Sequence, residues 1–112
     1  MIDEQALATL KRDVGDEMFP LILEQFGLEL QSKIGLLDEA CRQADPAQLA
    51  ELAHSLKSTT RTLGLNSVAD LAAEIEQRGR AGEREVVGAV AQLVDLCRQS
   101  AALIEQRVAA TR

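Results

Sequence analysis

The sequence predicts an all-α fold, an antiparallel up-down-up-down four-helix bundle with a short N-terminal capping helix. Three observations carry that prediction. The 112 residues include 17 Leu and 17 Ala, both good helix formers. Strand-favouring residues are few: no Trp, no Tyr, two Phe and twelve Ile plus Val, which argues against a sandwich or barrel. Apolar side chains then recur at spacings of three and four, and capping residues separate the runs. With only two Pro and seven Gly there is little material for long loops, and the length suits one domain over residues 1–112.

The first helix is short, from about Asp3 to Val14, with Asp3 as N-cap and Ala6, Leu7 and Leu10 on one face. Gly15-Asp16 ends it, and Asp16 is placed to cap a long second helix reaching about Ala44. Its stripe is Phe19, Ile22, Leu23, Phe26, Leu30, Ile34, Leu37 and Cys41, with Pro20 tolerated in the first turn. Asp45 caps the third helix, Pro46 opens it, and Gly64 stops it after Leu63. Asn66 or Ser67 caps the fourth, whose stripe is Val68, Leu71, Ala72 and Ile75 and whose end falls between Gly79 and Gly82. The last helix runs from about Glu83 to Ala109 on Val87, Val90, Val94, Cys97, Ala101, Ile104 and Val108, with Arg112 and its neighbours frayed. Short connections make consecutive helices antiparallel.

The net charge of −6 makes a poor surface for a polyanion, so nucleic acid is not an expected partner. Cys41 and Cys97 lie far apart in helical runs and read as reduced core residues. No apolar stretch is expected to approach the roughly 18 residues of a membrane span. The start, Met1-Ile2-Asp3-Glu4, lacks the basic and apolar run of a signal peptide. A cytoplasmic protein is expected, with no membrane association. It should be a monomer, because the long stripes are used within one bundle and like charge keeps copies apart.

His54 is the only histidine. At about 100° per residue, Ser58 lies about 40° from it, Lys57 about 60° to the other side and Arg61 about 20° away. Leu52, Leu56 and Leu63 point roughly opposite, so the imidazole faces away from the core. Lys57 and Arg61 place two cations on its strip, with no acid at the i+3, i+4 or i+7 positions. Ala47, Ala50 and Ser58 keep the flanking surface small, and Glu51 shares the face. An accessible imidazole beside cations suits a phosphoryl group, whose oxygens take charge-assisted hydrogen bonds.

The run Ala53-His54-Ser55-Leu56-Lys57-Ser58-Thr59-Thr60-Arg61-Thr62-Leu63-Gly64 resembles the signature of histidine-containing phosphotransfer (HPt) domains. That signature is a histidine, then Leu-Lys-Gly or Leu-Lys-Ser, then a glycine about ten residues on. The resemblance covers nearly the whole chain. Phe26, Leu37, Ala40, the Asp45 turn, and Leu71 with Ile75-Glu76 sit where that family places its core and turns. It implies that His54 is the phosphoacceptor, that Lys57 orients or neutralises the phosphoryl group, and that Gly64 is structural. It implies a stand-alone phosphorelay intermediate, a stoichiometric carrier and not an enzyme. The partners implied are the receiver domain of a hybrid sensor kinase and that of a response regulator, with magnesium supplied by the receiver. Many members carry glycine where this chain has Ser58. A role for Arg61 as a phosphoryl or receiver contact rests on helical geometry alone.

Other chemistries are weaker. One His and two distant Cys have no metal-ligand spacing, so no metal or other cofactor is expected on this chain. No strained elbow precedes Ser55 or Ser58 to make a hydrolytic triad. There is no glycine-rich phosphate loop, so ATP is not an expected ligand. The acidic groups Asp3-Glu4, Asp38-Glu39 and Glu74 with Glu76 read as solvated faces. Two rival functions keep the same bundle: a helical adaptor that binds a receiver or kinase without phosphorylation, and a small hydrolase using His54 as base.

Overall fold

Backbone punctuation sets the elements of the computed structural model, which describes residues 2–111. They are α1 (Glu4–Val14), α2 (Phe19–Arg42), α3 (Pro46–Thr62), α4 (Asn66–Arg80) and α5 (Val87–Thr111). No strand occurs among the described residues, so the fold is all-α.

Asp3 caps α1: its Oδ1 accepts the Gln5 N–H at 3.0 Å. Gly15, at φ 89°, ends that helix, and its N–H donates to the Lys11 carbonyl. Asp45 caps α3 by accepting the Gln48 N–H at 3.1 Å, with Pro46 in the first turn. Gly64 closes α3 at φ 74°, and a Cβ there would lie 2.6 Å from the Asp3 carbonyl. It therefore provides both a left-handed turn and room for α1 to cross, and its own carbonyl accepts the Asp3 N–H at 2.8 Å.

Three boundaries differ from the sequence expectation. Asp16 does not cap α2, which starts at Phe19 behind a turn. There the Phe19 N–H is satisfied by the Gly15 carbonyl at 3.0 Å, so the backbone does the work assigned to a side chain. Neither Asn66 nor Ser67 caps α4, because Leu65 occupies the cap position. Leu65 is fully buried, and its N–H donates to the Thr60 carbonyl at 2.8 Å, which anchors the entry to the helix one residue early. Residues 83–86 are not helical. Arg78 straps them, through Nε to Glu83 Oε2 at 2.7 Å and Nη2 to the Glu85 carbonyl at 3.3 Å. Val86, not the exposed Val87, therefore fills the core at the start of α5. The helix continues through Thr111; Arg112, expected to fray, lies outside the described residues.

The two largest helix contacts are α3 against α4 and α2 against α5; α1 touches α2 and α3. Leu23, Leu30 and Leu37 from α2 meet in one core with Leu49, Leu52 and Leu56 from α3. Val68, Ala72 and Ile75 from α4 and Val90, Leu93, Cys97 and Ile104 from α5 complete it. Both cysteines are free, and burial pushes the Cys97 thiol up to about 11, which leaves it unreactive near neutrality. Contrary to the sequence expectation, one stretch, Val87–Ala110, is long and apolar enough to cross a membrane by length and composition. Its apolar stripe lies in the core here, while Asp95, Arg98 and Glu105 stay on the outer face.

The detail that matters most for the site is the fit of α4 onto α3. A Cβ on Gly79 would lie 2.6 Å from the Pro46 carbonyl and 3.0 Å from Ala50 Cβ. Glycine lets the two helices approach closely, and the next turn of α4 brings Glu76 against α3.

Candidate functional site

His54 points out of α3, with 61% of its side chain exposed. Its Nδ1 lies 2.9 Å from Oε2 of Glu76, which comes from α4 and is only 7% exposed. Lys57 Nζ reaches the other oxygen, Oε1, at 2.8 Å. Arg80 donates to Oε2 through Nη2 at 2.7 Å and Nε at 3.2 Å. One carboxylate therefore gathers an imidazole, an ammonium and a guanidinium. Lys57 first and Arg80 next, then His54, hold the Glu76 carboxyl down to about 2 against the opposing effect of burial.

That ionisation decides the imidazole tautomer. A carboxylate can only accept, so Nδ1 carries the proton and donates it. In the neutral ring the lone pair then sits on Nε2, which makes no hydrogen bond among the described residues. The ring is oriented by its inner nitrogen and nucleophilic at its outer one.

Several expected site residues are brought together and others are not. Lys57 joins the imidazole through Glu76. Arg61 does not: its Nη2 pairs with Asp70 at 3.3 Å, away from the cluster. The second cation beside His54 is Arg80, which sequence reading missed because it comes from another helix. Ala50, expected on the accessible face, is buried at 4% and packs against Gly79, because α4 covers that side of α3. Ala47, Glu51 and Ser58 are exposed on the His54 face.

Glu76 corrects the expectation of a solvated acidic face, being buried on α4 against His54. A signal for it was present in the sequence. Val68, Ala72, Ile75, Glu76 and Gly79 share the buried side of α4, and an acid within such a stripe needs cationic partners. Toward α2, α3 also makes a polar contact: Thr59 Oγ1 donates to Glu29 Oε1 at 3.1 Å.

Residues 21–110 match the Hpt domain family. The chain is 28% identical over 83 residues to the phosphorelay protein LuxU of Vibrio vulnificus, covering 74% of this chain and 72% of that one. It is 26% identical over 88 residues to LuxU of Vibrio harveyi, covering 79% and 77%. Its fold is similar to the crystal structure of histidine-containing phosphotransfer protein B (HptB) from Pseudomonas aeruginosa PAO1. That similarity has a TM-score of 0.91 at 25% identity, over 99% of this chain and 96% of the other. With an exposed histidine set in an all-helical fold and a family match over most of its length, the chain belongs to the Hpt domain family of phosphorelay histidine phosphotransfer proteins.

Proposed function

We propose that His54 is the phosphoacceptor, receiving a phosphoryl group from the aspartyl phosphate of a hybrid sensor kinase's receiver domain and passing it to the aspartate of a response regulator. The observation that carries this reading is the exposed imidazole whose inner nitrogen is tied to Glu76 beside Lys57. The Nε2 lone pair attacks phosphorus in line, and the bond from phosphorus to the donor carboxylate oxygen breaks. Lys57, which shares the Glu76 carboxylate with the imidazole, is the cation assigned to the phosphoryl oxygens, where it would stabilise developing charge. Arg61, held by Asp70, is left as a contact for a receiver approaching that end of α3.

The receiver docks on the exposed Ala47, Glu51 and Ser58, where the small Ala47 and Ser58 let an aspartate come within about 3–3.5 Å of the imidazole. Magnesium belongs to the receiver in this reading. The chain is a stoichiometric carrier, cytoplasmic and monomeric, and an up-down-up-down bundle with α1 capping one end is the arrangement proposed for it. Short connections and the pairing of α3 with α4 and α2 with α5 support that arrangement.

The test is transfer from a phosphorylated receiver. Wild type is expected to gain acid-labile phosphate, and His54→Gln to gain none while its far-UV circular dichroism is unchanged. Acid-labile phosphate on the His54→Gln variant would sink the assignment.

A further inference from the structure

We propose that Glu76 keeps the phosphorylated His54 ring in its protonated form, the form that can give the phosphoryl group away. The inference rests on His54 as phosphoacceptor and concerns the state after transfer. When Nε2 forms its bond to phosphorus, the electron pair of the broken P–O bond leaves with the donor carboxylate. Nδ1 still carries its proton, so the ring becomes an imidazolium. For onward transfer, an acceptor carboxylate attacks phosphorus, the N–P bond breaks, and its electron pair returns to Nε2. With Nδ1 protonated the leaving group is neutral imidazole. With Nδ1 deprotonated it would be imidazolate, a far poorer leaving group. The proton on Nδ1 therefore decides whether the carrier is loaded and ready or loaded and inert.

The geometry places a buried carboxylate oxygen 2.9 Å from that proton's nitrogen. An opposite charge in direct contact with a ring nitrogen favours the protonated form of the ring. The other charged groups around the imidazole are Lys57 and Glu51 on α3 and Arg80 on α4. On α2, Glu29 faces α3 through Thr59, and Lys33 lies one turn further along the same face. Lys57 and Arg80 now share Glu76 with His54, and each opposes a positive ring. A phosphoryl dianion on Nε2 would attract both, because Arg80 Nη2 and His54 Nδ1 already bond the same oxygen. Glu76 is then left to the imidazolium. It acts through His54 and is a positioning residue, not one that touches the phosphoryl group.

The test loads the full chain with potassium phosphoramidate and follows phosphohistidine lifetime from pH 5 to pH 9, with nitrogen-15 NMR reading the Nδ1 titration midpoint. In wild type the midpoint is expected above that of free phosphohistidine. In Glu76→Gln, which keeps shape and an acceptor but loses the charge, it should fall by about one unit or more, with lifetimes near neutrality lengthening about tenfold. Glu76→Asp should keep the higher midpoint. Superimposable midpoints in wild type and a folded Glu76→Gln overturn the proposal. If that variant does not fold, a wild-type midpoint at or below that of free phosphohistidine overturns it alone. Failure of wild type to take acid-labile phosphate, or its uptake by His54→Gln, overturns the phosphoacceptor assignment instead.

Discussion

The two main helix seams of this protein are held together by different physics. The α2–α5 seam is apolar: Leu23, Leu30 and Leu37 meet Leu93, Cys97 and Ile104, and charged side chains such as Glu24 and Glu105 stay at its rim. The α3–α4 seam is apolar inside as well, but it closes on the Gly79–Pro46 approach and carries a buried carboxylate with three cationic or imidazole partners. Apolar burial is non-directional, whereas hydrogen bonds to a carboxylate need each donor at a set distance and angle. The difference places the proposed phosphoryl chemistry in one seam only, so damage to the α2–α5 seam is expected to leave that chemistry intact.

The strongest test of that separation is Leu30→Ala. Leu30 is fully buried, and removing its methyl groups should cost about 2–5 kcal/mol, read from denaturant unfolding. Phosphoryl acceptance per folded molecule should stay at the wild-type level. A large loss of acceptance in the folded variant would show that the two seams are coupled.

Lys57→Ala reverses the pattern. The bundle should remain folded, while losing one charge-assisted contact to the phosphoryl group should cost about 1.5–3 kcal/mol, or about ten- to a hundredfold in transfer rate. Rates and phosphohistidine lifetimes equal to wild type would reduce Lys57 to an ordinary partner of Glu76.

Glycine exchanges sharpen the comparison further. In Gly79→Ala the new Cβ meets a backbone carbonyl at 2.6 Å, which cannot turn aside, so α3 and α4 must part. Overpacking of this kind costs about 1–3 kcal/mol, and the Glu76–His54 contact should open with it, lowering transfer. In Gly27→Ala the Cβ meets Ile104 Cγ2 at 3.3 Å and Cβ at 3.9 Å and no backbone atom, so a shift of a few tenths of an ångström relieves it. Strain and the gain in helix propensity should nearly cancel, leaving stability within about 0.5 kcal/mol and transfer unchanged. Equal effects from both exchanges would remove the distinction.

Acid gives the smallest effect near neutrality and the most local one. The Glu76 carboxyl is held at about 2 in the fold against an ordinary value of 4.5. A folded value below the unfolded one means that the contribution is complete above pH 4.5 and fades as pH falls toward 2. Hydrogen exchange should therefore loosen α3 and α4 across that window before α2 and α5. Loosening of both seams together would assign the acid response to the molecule as a whole.

Much of the fold was legible along the chain because its determinants are local. Asp3, Asp45 and Gly64 act through hydrogen bonds or φ values within a few residues, and the α2 and α5 stripes follow helical period. Period also placed His54 outward and Leu52 and Leu56 inward. The cap residues of α2 and α4 were misplaced because a neighbouring turn and the burial of Leu65 outweighed side-chain preference. What only the tertiary structure decided is which helix covers which side of α3. That choice buried Ala50, sent Arg61 to Asp70, and brought Glu76 and Arg80 to the imidazole. The sequence by itself determined the helices and the residue that faces out. The partners that set the tautomer of His54 lie 22 and 26 positions further on, and no single-helix periodicity relates side chains on two helices; only packing does.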